Sequence, residues 1–120
     1  KGELKVVYMP KVLQDKIQNE KPPFVGFQIF VKHIAVLAAN DKSWKKKMTT
    51  TLKGKNPEAN KVFGVKGKKM SKSISLSFDV SVAEKINTFA VAPFNDSLII
   101  NSMCIIGLEL WDNNKDELFM

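Results

Sequence analysis

The chain has 120 residues, 44% of them hydrophobic and eight of them Phe, which is enough for one domain with its own core and excludes intrinsic disorder. The net charge is +7 and all 19 basic residues are Lys, so the planar Arg fork that grips phosphate or guanine in two places is missing. The single cysteine, Cys104, excludes an internal disulfide, and no apolar run is long enough to span a membrane, because Lys32 and His33 interrupt the nearest candidate, Phe24–Ala39.

From the amino end, Leu4–Met9 is rich in β-branched and aromatic residues and reads as a short strand. Pro10 suits the start of a helix, and Val12, Leu13 and Ile17 fall on one side of Lys11–Glu20, which predicts a short amphipathic helix stopped by Pro22 and Pro23. Phe24–Ala39 fits either period. Phe27, Phe30, Val31, Ile34, Leu37 and Ala38 make a helical face, whereas the β-branched content and Gly26 favour a strand, and the strand is the reading preferred here, with a bend or bulge near Lys32–His33.

Asn40–Lys72 differs from its surroundings. It holds 11 of the 19 lysines against two acids, Asp41 and Glu58, and is punctuated by Gly54, Pro57, Gly64 and Gly67. It reads as loops with one short strand at Val62–Val65. Ser73–Val82 then alternates strictly: Ile74, Leu76, Phe78, Val80 and Val82 on one side, Ser73, Ser75, Ser77, Asp79 and Ser81 on the other, as in a strand with one wet face. Ala83–Asn87 reads as a connector, Thr88–Phe94 as a further strand, and Leu98–Trp111, apolar at both parities, as a central sandwiched strand. Leu118, Phe119 and Met120 form an apolar tail.

These elements predict an all-β fold, an antiparallel β-sandwich or jelly-roll-like domain over residues 1–120 with one short peripheral helix and a Lys-rich loop region at 40–72. No βαβ rhythm and no internal repeat is legible in the sequence.

Chemistry-bearing motifs are thin. Lys69-Met70-Ser71-Lys72-Ser73 resembles the K-M-S-K-S loop of class I aminoacyl-tRNA synthetases, a resemblance that implies a role for Lys72 on ATP phosphates. It covers five residues, and the partner His-x-Gly-His motif is absent at His33-Ile34-Ala35-Val36, so the match reads as coincidence. The spacing in Gly64–Lys69 is wrong for a P-loop. The sole His, His33, has no metal-ligand partner at a useful spacing. Asp79 and Glu84 read as solvated acids, and a catalytic role for them would need a pocket that gathers them with His33. No catalytic residue, cofactor or metal is expected.

The functional weight rests on the basic stretch. Trp44 beside Lys42, Lys45, Lys46 and Lys47, and Phe63 between Lys61 and Lys66, place aromatic rings among positive charges; with Lys53, Lys55, Lys68, Lys69 and Lys72 they form a candidate polyanion surface for nucleic acid or an anionic membrane. The expected function is non-enzymatic binding or assembly through that surface, by fold-level analogy in a viral or phage structural, matrix or movement-type protein. The alternative is a protein-interaction module that associates through strand edges or Leu118–Met120, with solubilising lysines. A free Cys and the absence of a signal peptide predict an intracellular, reducing compartment.

Overall fold

The computed structural model describes residues 2–63, 70–91 and 94–118. In chain order the elements are β1 (Gly2–Pro10), α1 (Lys11–Glu20), α2 (Phe27–Asn40), α3 (Trp44–Leu52), α4 (Pro57–Phe63), β2 (Met70–Asp79), α5 (Val80–Phe89) and α6 (Asp96–Leu118). The only sheet among the described residues is the antiparallel pair β1–β2. The expected all-β sandwich or jelly roll is therefore corrected: the fold is mostly helical, built on a two-stranded ribbon.

The first strand and the first helix stand where the sequence places them, and Ser73–Phe78 keeps its alternation. Ile74, Leu76 and Phe78 point inward, and Ser73, Ser75 and Ser77 outward. β2 stops earlier than expected, at Asp79; Val80 opens α5 and is exposed, and the expected connector 83–87 is part of that helix. Among the described residues, four further segments expected as strands are not strands. Phe24–Ala39 becomes a loop followed by α2, Thr88 and Phe89 end α5 with residues 92 and 93 outside the described residues, and Leu98–Trp111 lies within α6. At Val62–Val65 the described part, Val62 and Phe63, is the end of α4, and the rest lies outside the described residues.

Tertiary burial decides these segments against β propensity. α2 buries Phe30, Val31, Ile34, Ala35, Ala38 and Ala39, the i, i+3, i+4 stripe of a helix. α6 is buried almost all round from Ile99 to Leu108, which gives apolar residues at both parities without any strand. Such a helix is the centre of a core. α2 and α6 pack closely at Gly107, against the backbone of Ile34. Phe30 and Trp111 meet edge to face at 5.0 Å between ring centroids.

The element order contains a repeat that the residue identities hide. Strand–helix–helix occurs twice, as β1-α1-α2 and β2-α5-α6. Both helices of the second copy start 69 positions after those of the first (11 to 80, 27 to 96), and α1 and α5 have the same length of 10 residues. Burial follows the same offset: Val7 and Leu76, Met9 and Phe78, Leu13 and Val82, Ile17 and Ile86, Phe30 and Ile99, Val31 and Ile100, Ile34 and Met103, and Ala35 and Cys104 are all buried. The strand register agrees. Val6 pairs with Ser75, its own counterpart, and the pair Leu4–Ser77 corresponds to Tyr8–Ser73, so a pseudo-two-fold axis passes between Val6 and Ser75. α3 and α4 are the insertion between the copies.

Candidate nucleic-acid interface

The ribbon has a covered side and an open side. Inward, Val7, Met9, Ile74, Leu76 and Phe78 join the core. Outward, β1 presents Leu4, Val6 and Tyr8, with exposures of 66%, 45% and 54%, and β2 presents Ser77, Ser75 and Ser73 directly opposite them. Three apolar or aromatic side chains thus face three hydroxyls across the strands.

Both edges of the ribbon are held by the first turns of the long helices. Gln28 of α2 donates to the Ser75 carbonyl oxygen. On the other edge the Tyr8 amide donates to Ser97 Oγ at 3.0 Å, and Asn101 Nδ2 donates to the Tyr8 carbonyl at 3.0 Å. Gln28 and Ser97 are counterparts under the repeat. Their bonds occupy edge groups that another strand would need.

One inward position breaks the apolar rule. Lys5, counterpart of Ile74, is 7% exposed and reaches Asn87 Oδ1 at 2.8 Å, Glu3 at 2.9 Å and Asp96 at 3.4 Å. Desolvation pulls its pKa down, but the bond to Glu3 and the charges of Asp96 and Glu3 outweigh it, and the net direction is up. Lys5 is thereby charged and committed to the fold.

The two flanking helix starts differ. α2 follows Gly26, which has no side chain to cap the helix amides. α6 follows Asn95, whose Oδ1 receives the Leu98 amide at 2.8 Å, and has Asp96 in its first turn.

The lysine-rich residues lie elsewhere. α3 packs on α2 and α6, and α4 on α6, with Lys16 of α1 bonded to Glu58 at 2.6 Å. Lys16, and then Lys61, hold the Glu58 carboxyl below its usual range. Lys42, Lys45, Lys46, Lys53, Lys55 and Lys61 are exposed, whereas Lys47 is half-buried and paired with Asp41 at 3.1 Å. The Trp44 ring stands edge to face with Phe89 at 5.8 Å, under Lys85 Nζ at 5.0 Å and Lys45 Nζ at 5.7 Å, so the indole is committed within the protein. Lys66, Lys68 and Lys69, and with them the Gly64–Lys69 turn, lie outside the described residues, as do Phe119, Met120 and the side chains of Phe63, Lys72 and Leu118.

Other sites offer little chemistry. His33 is exposed and lies edge to face on Trp111 at 5.8 Å. Cys104 is buried, and burial pushes its thiol up to about 12, so it is a protonated core side chain and not a nucleophile. Among the described residues no group of three His, Cys, Asp or Glu is placed to hold a metal, and no helix is long and apolar enough to cross a membrane. A cleft of about 300 Å³ beside Lys16, Glu58, Glu109 and Asp112, and another of about 400 Å³ beside Lys46, Lys47, Thr50 and Lys55, include none of His33, Asp79 and Glu84.

The outer face of the ribbon is a candidate site that the charge pattern does not mark. Its signal is the alternation of β2, whose polar positions equally fit the wet face of a sandwich strand. No protein-family model, curated protein or solved structure matches the chain.

Proposed function

We propose that the chain binds duplex DNA, without catalysing a reaction, by laying the outer face of the β1–β2 ribbon in the major groove. The observation that carries this reading is the isolated two-stranded antiparallel ribbon, held at both edges, with Leu4, Val6, Tyr8, Ser73, Ser75 and Ser77 projecting outward about a pseudo-two-fold axis. The major groove of B-DNA admits a two-stranded ribbon, and duplex DNA has two-fold pseudosymmetry of its own. Hydroxyls donate to or accept from base edges, and apolar side chains meet the thymine methyl group. The net charge of +7 supplies the long-range attraction that any polyanion ligand needs. The exposed lysines of α3 and α4 add sequence-independent contacts to nucleic acid outside the groove. A nucleic-acid ligand and the free thiol of Cys104 both support an intracellular, reducing compartment. The analogy with small viral β-sandwich proteins has no sandwich to rest on.

The same exposed column of Leu4, Val6 and Tyr8 favours one other reading, a protein-interaction module that docks through the ribbon face. Fluorescence anisotropy separates the two, with labelled duplex, the matching single strand, and anionic vesicles as competitor, at low and near-physiological salt. The DNA reading expects saturable binding that prefers duplex, weakens with salt, and is lost in Ser75→Glu without a change in melting temperature. A preference for single strands or vesicles, or an unaffected Ser75→Glu variant, sinks it. A concentration-dependent mass with no response to DNA supports the protein-interaction module.

A further inference from the structure

We infer that the ribbon reads a non-palindromic duplex site, with the β1 half set against thymine methyl groups and the β2 half against polar base edges. The inference rests on the DNA reading above and on a difference between the two copies of the repeat. Two identical strands about a two-fold axis present the same chemistry to both half-sites and so select an inverted repeat. Here two inward positions keep their apolar character between copies, Val7 with Leu76 and Met9 with Phe78, Lys5 with Ile74 being the exception, while the three outward positions exchange an apolar or aromatic side chain for a serine. Leu4 corresponds to Ser73, Val6 to Ser75 and Tyr8 to Ser77.

Leu4 and Val6 carry no polar atom in their side chains. In the major groove the thymine methyl is the apolar group they can cover, and against other base edges they would displace water without replacing its hydrogen bonds. Tyr8 adds one hydroxyl at the end of that column. Ser73, Ser75 and Ser77 are short, donate and accept, and impose no methyl requirement. The flanks carry the same inequality. The start of α2 has no capping side chain, whereas the start of α6 is occupied by Asn95 and the negative charge of Asp96. A phosphate backbone lying along both edges therefore meets unlike surroundings on its two sides.

The test is selection of bound duplexes from a randomised pool by the full chain, followed by sequencing. The expected motif is non-palindromic, with thymine enriched in one half and an effect of about tenfold or more in affinity per replaced thymine. Leu4→Ser, Val6→Ser and Tyr8→Ser together remove only exposed side chains, and this variant is expected to select a palindrome that repeats the β2 half. The reciprocal variant, Ser73→Leu, Ser75→Val and Ser77→Tyr, is expected to select a thymine-rich palindrome. Circular dichroism and melting temperature qualify each variant as folded, and either one alone suffices. A palindromic motif from the native chain, or motifs unchanged in the folded variants, overturns the inference and leaves the DNA reading standing. Tight duplex binding with no sequence preference does the same, whereas no duplex binding in low salt removes both.

Discussion

Gly107 lies against the backbone of Ile34: a Cβ added at Gly107 would overlap the Ile34 carbonyl oxygen. This contact sets how closely α6 approaches α2, the two longest helices of the core. Two effects of replacing Gly107 by Ala oppose each other. Helix propensity favours Ala by about 1 kcal/mol. The overlap is with backbone, which cannot rotate away, and forcing the helices apart costs about 1–3 kcal/mol or more. Gly107→Ala is expected to melt several degrees lower, and Gly107→Val to lower the melting temperature much further. Gly26→Ala, where the nearest atom is Ile29 Cδ1 at 3.8 Å, is the steric control and is expected to lose only the modest N-cap preference of Gly over Ala. A Gly107→Ala variant as stable as the native chain would show that α6 can shift without loss.

Phe78 and Ser77 are neighbours on β2 and face opposite ways. Phe78→Asp removes a fully buried ring, worth about 3–5 kcal/mol, and puts an unpaired charge in its place. Their sum reaches the whole stability of a typical domain, about 5–15 kcal/mol. Phe78→Asp is therefore expected to be unfolded by circular dichroism, whereas Ser77→Asp, on the open face, keeps the native spectrum. A folded Phe78→Asp variant would reverse the assignment of the two faces.

Short elements with a clean period were legible in the sequence; the long apolar segments were not. Ser73–Phe78 and Lys11–Glu20 each bury one face, so the period survives in the residue order. Asp96–Leu118 holds the centre of the core, and a helix buried on most sides loses the polar face that marks its period; Phe27–Asn40 keeps a helical stripe in its sequence, and there the β-branched content and Gly26 favoured the strand. Length was the better guide, since 14 and 23 residues exceed an ordinary strand. The repeat escaped because burial is preserved and identity is not: over Gly2–Asn40 and its counterparts only Lys16 with Lys85 and Ile17 with Ile86 are the same residue. The lysines drew the candidate site to 42–72 because charge is visible in composition. The outer ribbon face became visible only when β1 and β2 were paired across the insertion.

Lys5 stands at the inward position that its counterpart Ile74 fills with an apolar side chain. Removing one partner of a fully buried ion pair strands the other charge, but Glu3 and Asp96 are 49% and 40% exposed and can be hydrated when Lys5 is replaced. Lys5→Ile is expected to keep or raise the melting temperature, whereas Lys5→Ala, which leaves a void beside Asn87 and Asp96, is expected to lower it by several degrees. Because the Lys5 pKa is raised above 10.5, its contribution is fully present below that value and is lost only as pH rises through the folded-state pKa. The difference between native and Lys5→Ile should then be constant from about pH 6 to 9 and change only in more alkaline buffer. A difference that varies across the neutral range would mean that another group titrates in this network.

Lys45, Lys46 and Lys47 separate a charge effect from base reading, because they stand on α3, which packs on α2 and α6, and not on β1 or β2. Changing all three to Gln is expected to weaken duplex binding by a similar factor for every sequence and to flatten the salt dependence, with the selected motif unchanged. Lys47 already neutralises Asp41, so the exposed Lys45 and Lys46 should carry most of the effect. Titrations of the best and a scrambled duplex at three salt concentrations measure it directly. If the triple variant instead loses its preference for the best duplex, the lysine-bearing helix takes part in reading sequence and the ribbon does not act alone. If affinity and salt slope are both unchanged, these lysines serve only as a solvated surface.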